Sequence, residues 1–134
     1  MDKMKFYKII FFIEAGWNML LSALIIILAL TLKDPFFNLL GMDTPNNFVW
    51  FCLFWILVLI YGFCYMLVGL DLTKNHLVVS AGIIAKLAYF IAILIFFILG
   101  SCNWILFLTS IFSLVFAGFA IEFYVNYKKL VIKG

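Results

Sequence analysis

Four stretches of this chain are apolar for long enough to cross a lipid bilayer, and that restricts the fold more than any other feature. They run near Phe6–Leu32, Phe48–Leu70, Leu77–Leu99 and Trp104–Tyr127. A helix needs about 20 mainly apolar residues to span the hydrocarbon core. A membrane β-barrel would place polar residues at alternate positions facing its lumen, and "LSALIIILALTL" has no such alternation. The expected fold is all-α: a polytopic four-transmembrane-helix bundle, one transmembrane domain over residues 1–134.

The soluble alternative fails on composition. Hydrophobic residues make up 69% of the chain, with 17 Phe and 4 Trp set against nine basic and six acidic side chains. One small soluble core could not hide that much apolar surface. The first span follows a lysine-rich start, as a signal peptide would. Its apolar run exceeds the roughly 7–15 residues of a signal-peptide core, so it reads as a retained helix.

The lysines report topology. Lys3, Lys5 and Lys8 precede the first span, Lys74 joins the second to the third, and Lys128, Lys129 and Lys133 follow the fourth. The opposite side carries only Lys33, accompanied by Asp34 and Asp43. The positive-inside rule therefore predicts that both termini are cytoplasmic. A net charge of +3, dispersed in this way, builds no basic face and excludes a nucleic-acid partner.

Between the first two spans, "DPFFNLLGMDTP" predicts a short outer interfacial helix, with Asp34 as N-cap, Pro35 in the first turn and Gly41 at the end. Its Phe36, Phe37, Leu39 and Leu40 suit an anchor in the headgroup layer better than a lid over the bundle. Thr44, Asn46 or Asn47 can cap the second span, and Asn75 the third. Cys52, Cys64 and Cys102 have no metal or redox spacing and read as small packing residues. Cys52 and Cys64 would lie about 18 Å apart on one helix, too far to bridge. His76 has no second histidine to share a metal, and no cofactor is implied.

Against this background the few intramembrane polar groups stand out. Lys86 interrupts "GIIAKLAYFIAILIFFILG". Counting from the cytoplasmic side at about 1.5 Å per residue puts Glu14 some 8–12 Å deep, Glu122 about 8 Å and Lys86 about 14 Å, with a flexible stem that reaches back. Glu14, Asn18 and Ser22 follow one another at four-residue steps along one helix face. Glu122 and Asn126 repeat that spacing on the fourth span, and Gly82 and Gly118 permit close helix approach. An isolated charge at the bilayer centre costs about 2.5–3.5 kcal/mol, so such groups face the bundle interior and pair. The expectation is a polar pocket opening toward the cytoplasmic half, built from Glu14, Asn18, Lys86 and Glu122, with Tyr65, Tyr61, Asp71 and His76 near it. The bland alternative is that Lys86 snorkels and that a Glu14–Lys86 pair only sets helix register. Trp17, beside the polar line, reads as packing.

The segment "YGFCYMLVGLDLTKNHLVVSAGIIAKLAYF" resembles small bacterial four-span membrane proteins of the DoxX-like group. A D-x-x-x-N turn followed by a helix with G-x-x-x-K falls here on Asp71, Asn75, Gly82 and Lys86. The resemblance implies four helices in a bacterial inner membrane and no particular chemistry. Small multidrug transporters are also similar in length and in carrying a first-helix glutamate like Glu14. This chain departs from them in the additional charges Asp71, Lys86 and Glu122 and in lacking a glycine-rich third helix.

No catalytic motif is present: no G-x-S-x-G, H-E-x-x-H or Walker loop. The leading expectation is therefore a protein that binds a membrane lipid or amphipathic small molecule at its charged cluster. A proton-coupled transporter is the alternative, and a structural or assembly subunit without a ligand is the third reading; in any of these the glycines can serve contacts within one bundle or in a homo-oligomer. An acid/base enzyme acting on a lipid, with Glu14 and Glu122 as its carboxyls, comes last.

Overall fold

A computed structural model describes residues 3–132, which leaves Lys133 outside the described residues. The chain folds as α1 (Lys3–Thr31), α2 (Lys33–Leu39), α3 (Phe48–Leu70), α4 (His76–Ile98) and α5 (Trp104–Ile132), with no strand among the described residues. α1, α3, α4 and α5 are long and apolar enough to cross a membrane. Their polarity is arranged inside out relative to a water-soluble bundle. Leu20 is 76% exposed and Ile84 70%, whereas Glu14 is 0% and Lys86 8% exposed. Lipid satisfies such an exterior, and the buried charges must then be satisfied from within.

Short connections make the four long helices run alternately up and down, so α1 begins on the face where α5 ends. α1 packs most extensively with α3, and α4 with α5, while α3–α4 and α1–α5 are the thinner seams. Gly62 sets the α1–α3 spacing, because a Cβ there would lie 3.1 Å from both the Ala15 carbonyl oxygen and the Met19 nitrogen. The sequence expectation for glycine holds at Gly82, which accommodates the Tyr65 ring and hydroxyl. It fails at Gly118, where a side chain would meet open space.

The short helix α2 lies where the sequence places it but differs in detail. It starts at Lys33, two residues earlier than predicted, because the α1 hydrogen-bond ladder almost continues: Phe36 N donates to the Leu32 carbonyl. Asp34 is therefore not the cap, and its carboxylate accepts from the Thr44 hydroxyl at 2.7 Å. Phe36 and Phe37 are buried with Ala29 against Phe48 and Phe51, so α2 covers the ends of α1 and α3. The short helix is closed as expected at Gly41, whose φ of +67° lets the Met42 amide reach the Phe37 carbonyl. Asn103 then ties this lid to the α4–α5 turn by donating to the Leu39 carbonyl at 2.6 Å.

On the opposite face the α3–α4 turn is closed by its own polar residues. The Asp71 carboxylate accepts from the amides of Thr73 and Lys74 and from the Thr73 hydroxyl. These bonds hold the Asp71 carboxyl below its usual range, at about 2. Asn75 does not cap α4 with its side chain. It donates to the Leu67 and Asp71 carbonyls and so finishes α3. Asn47 does cap α3, accepting from the Val49 amide at 2.9 Å.

Candidate functional site

Helical periodicity brings two of the predicted charges together and sends the third elsewhere. Glu14 is buried on α1 with Phe11 and Ala15 around it and Ser22 two turns on. Lys86 is buried on α4 in register with Val79 and Gly82. α1 and α4 stand diagonally across the bundle and have no close backbone approach. The long lysine side chain crosses that gap, and its ammonium lies 2.5 Å from Glu14 Oε1. The ammonium also lies 5.0 Å from the Tyr65 ring centroid, a cation–π contact.

Proximity holds this pair more than directed hydrogen bonding does. Both Glu14 oxygens and the Tyr65 hydroxyl are buried without a well-aligned hydrogen bond among the described residues, although the Tyr65 hydroxyl and the Lys86 ammonium both stand against the Glu14 carboxylate. Buried polar atoms are rarely left so, and each one invites a physical reason.

Beside the pair lies a cavity of about 140 Å³. It is lined by Trp17, Asn18 and Leu21 of α1; Phe54, Trp55, Val58, Tyr61 and Tyr65 of α3; Gly82, Ala85, Lys86 and Tyr89 of α4; and Thr109 and Ser113 of α5. All four long helices contribute. The cavity follows from the packing described above: two tight helix pairs meet along thin seams and leave space at the centre. An aromatic pair stands at each seam. Phe54 stacks on Tyr89 across α3–α4, and Trp17 lies 5.5 Å from Phe112 across α1–α5.

The cavity does not open toward the face of the chain ends, as the sequence suggested. On that side Tyr7, Phe11, Tyr65 and Phe123 form a continuous aromatic core with Val68, Leu72 and Val79. Phe11 stacks on Tyr65 and meets Phe123 edge to face. From Lys86 the cavity instead extends toward the α2 face, reaching Thr109 about 8 Å below the start of α5.

The remaining predicted residues separate cleanly. Asn18 and Tyr65 line the cavity with Lys86, and Glu14 supports the lysine from behind. Ser22 does not extend the polar face, since its hydroxyl donates to the Asn18 carbonyl at 2.6 Å. Glu122 is exposed and stands beside the Tyr7 hydroxyl. The inner face of α5 runs through Ser110, Ala117, Ala120 and Phe123, and Glu122 falls off that stripe. Asp71 belongs to the α3–α4 turn, and a 3.6 Å ion pair with Lys74 accompanies its turn hydrogen bonds. His76 stacks on Tyr127 at 4.3 Å, and the Tyr127 hydroxyl donates to the Thr73 carbonyl, so both residues dock that turn onto α5.

Sequence reasoning did not single out Tyr89, Thr109 and Ser113, and it read Trp17 as packing. A usable signal existed. Tyr89 lies one turn beyond Lys86, and Thr109 and Ser113 are four residues apart on the fourth span. Among the described residues no group of three His, Cys, Asp or Glu side chains could hold a metal. No protein-family model, curated protein or solved structure matches this chain.

Proposed function

We propose that this bundle binds a small amphipathic or lipid-like molecule within the membrane, its polar part at Lys86. Its setting is the bacterial cytoplasmic membrane, with both chain ends on the cytoplasmic side, as the lysine distribution favours. One observation carries the reading: a buried ammonium, held from behind by Glu14, lines a cavity to which all four long helices contribute. A register-setting ion pair does not need the cavity. Entry from the bilayer past Trp17 suits the geometry. That ring is 40% exposed, and with Leu21 it borders both the cavity and an apolar groove on the outside of α1.

Native mass spectrometry of the full chain, extracted from membranes in mild detergent, tests this reading. The wild type is expected to carry a small-molecule adduct that Lys86→Met loses and Glu14→Gln weakens. An adduct-free wild type, or an adduct indifferent to Lys86→Met, refutes it.

Proton-coupled transport of such a molecule is the second reading. It is favoured by the position of the Glu14 carboxylate behind Lys86, where a change in its charge would alter the hold on the ammonium facing the cavity. It requires a proton-dependent flux in proteoliposomes that Glu14→Gln abolishes.

A further inference from the structure

The wall of the cavity also constrains what kind of molecule fits it. We infer that the polar part of the ligand is a single uncharged ring bearing a hydrogen-bond acceptor, such as a ring-attached ketone oxygen. The inference rests on the binding reading above and narrows it to a ligand class.

Charge comes first. Lys86 is the only lining residue with a formal charge, and Glu14 already neutralises it. An anion entering the cavity would compete with a carboxylate that is already in contact. A cation would meet the ammonium with no free acid on the wall. In a low-dielectric interior an uncompensated charge is excluded far more strongly than a neutral dipole.

Hydrogen-bonding capacity comes second. An ammonium has three donors, and Glu14 engages one side of it. The Tyr65 hydroxyl is taken up by the Glu14 carboxylate beside it. On the far wall Tyr89 pairs with Thr109 at 3.2 Å, and Thr109 donates to the Leu106 carbonyl, while the Asn18, Tyr61 and Ser113 side chains can each donate or accept. The strongest donor with capacity to spare on the wall is the Lys86 ammonium. The complementary group on a ligand is an acceptor.

Size and shape come third. The cavity, at about 140 Å³, is close to the roughly 150 Å³ of an engineered cavity that holds benzene. One six-membered ring fills it. The aromatic side chains of Trp17, Phe54, Trp55 and Tyr61 in the lining favour a planar ring over a branched head.

Four probes of similar size separate these requirements: acetophenone, benzoate, benzylammonium and ethylbenzene. Each is titrated into the full chain in detergent micelles while amide NMR shifts are followed. Resonances of Lys86, Asn18 and Ser113 report the cavity, and those of the lipid-facing Leu20 and Val125 report simple partitioning into the micelle. Acetophenone is expected to give saturable shifts at the cavity residues, about tenfold tighter than ethylbenzene, the worth of one good hydrogen bond. Ser113→Leu, which fills the cavity, should abolish saturable binding. Benzoate and benzylammonium should give only partitioning. Tighter binding of either charged probe, or equal binding of ethylbenzene, overturns the ligand class while leaving a binding cavity in place. Absence of saturable shifts with all four probes overturns the class and counts against the binding reading as well.

Discussion

A double-mutant cycle on the Glu14–Lys86 pair is the most direct test of the physical picture. Lys86→Met removes the cation and strands a carboxylate that is 0% exposed. Breaking a buried pair from one side costs about 3–5 kcal/mol, because the surviving charge is left uncompensated. Glu14→Gln should cost less, about 1.5–3 kcal/mol, the worth of a hydrogen bond to a charged group. The glutamine oxygen still offers the ammonium an acceptor, and Lys86 borders a cavity into which its stem can turn. Replacing both residues removes both charges but leaves a buried glutamine amide without its ammonium partner, at about 1–3 kcal/mol. The double variant is therefore expected about 1–3 kcal/mol below wild type, giving a coupling of at least about 1.5 kcal/mol. Equilibrium unfolding in mixed micelles, scanned by the fraction of denaturing detergent, measures all four corners. Additive single effects would show that each charge is solvated independently, and the central pair would then have no energetic meaning.

Three further outcomes follow from local geometry. Gly62→Ala should cost about 1–3 kcal/mol by forcing α1 and α3 apart, whereas Gly118→Ala, facing open space in a helix, should be neutral or stabilise by up to about 1 kcal/mol; thermal unfolding of the two variants compares them directly. Gly41→Ala places a Cβ at φ +67° and 3.0 Å from Asn103 Cβ, so loosening of α2 should appear as faster amide exchange at Gly41, Met42 and Asn103. Asp71 titrates lower in the folded chain, at about 2, than its ordinary 3.8. Its contribution is therefore present above pH 3.8 and is lost as pH falls through about 2. Asp71→Asn should remove that part of the acid dependence of the unfolding midpoint, and an unchanged acid profile would contradict the turn assignment.

What the sequence settled by itself was governed by local physics. Four apolar runs of bilayer length required four helices, because that signal comes from composition and needs no knowledge of neighbours. Gly41 and Asn47 were legible as helix punctuation for the same reason, since a left-handed turn or a cap is decided within a few residues. Asn75 was misread because its partners, the Leu67 and Asp71 carbonyls, lie backward on α3. The depth count placed Glu14 and Lys86 at one level, but it placed Glu122 there too.

Only the tertiary structure separated them. Depth is one coordinate, and rotation about each helix axis is another that hydropathy cannot supply when every face is apolar. Packing against Tyr7 and Phe11 turns Phe123 inward, and that rotation carries Glu122 out of the core. The cavity is equally a property of assembly. It exists because α1–α3 and α4–α5 pack closely as pairs and meet each other less closely. Aromatic side chains from three helices close it on the side of the chain ends, which no single stretch of sequence encodes.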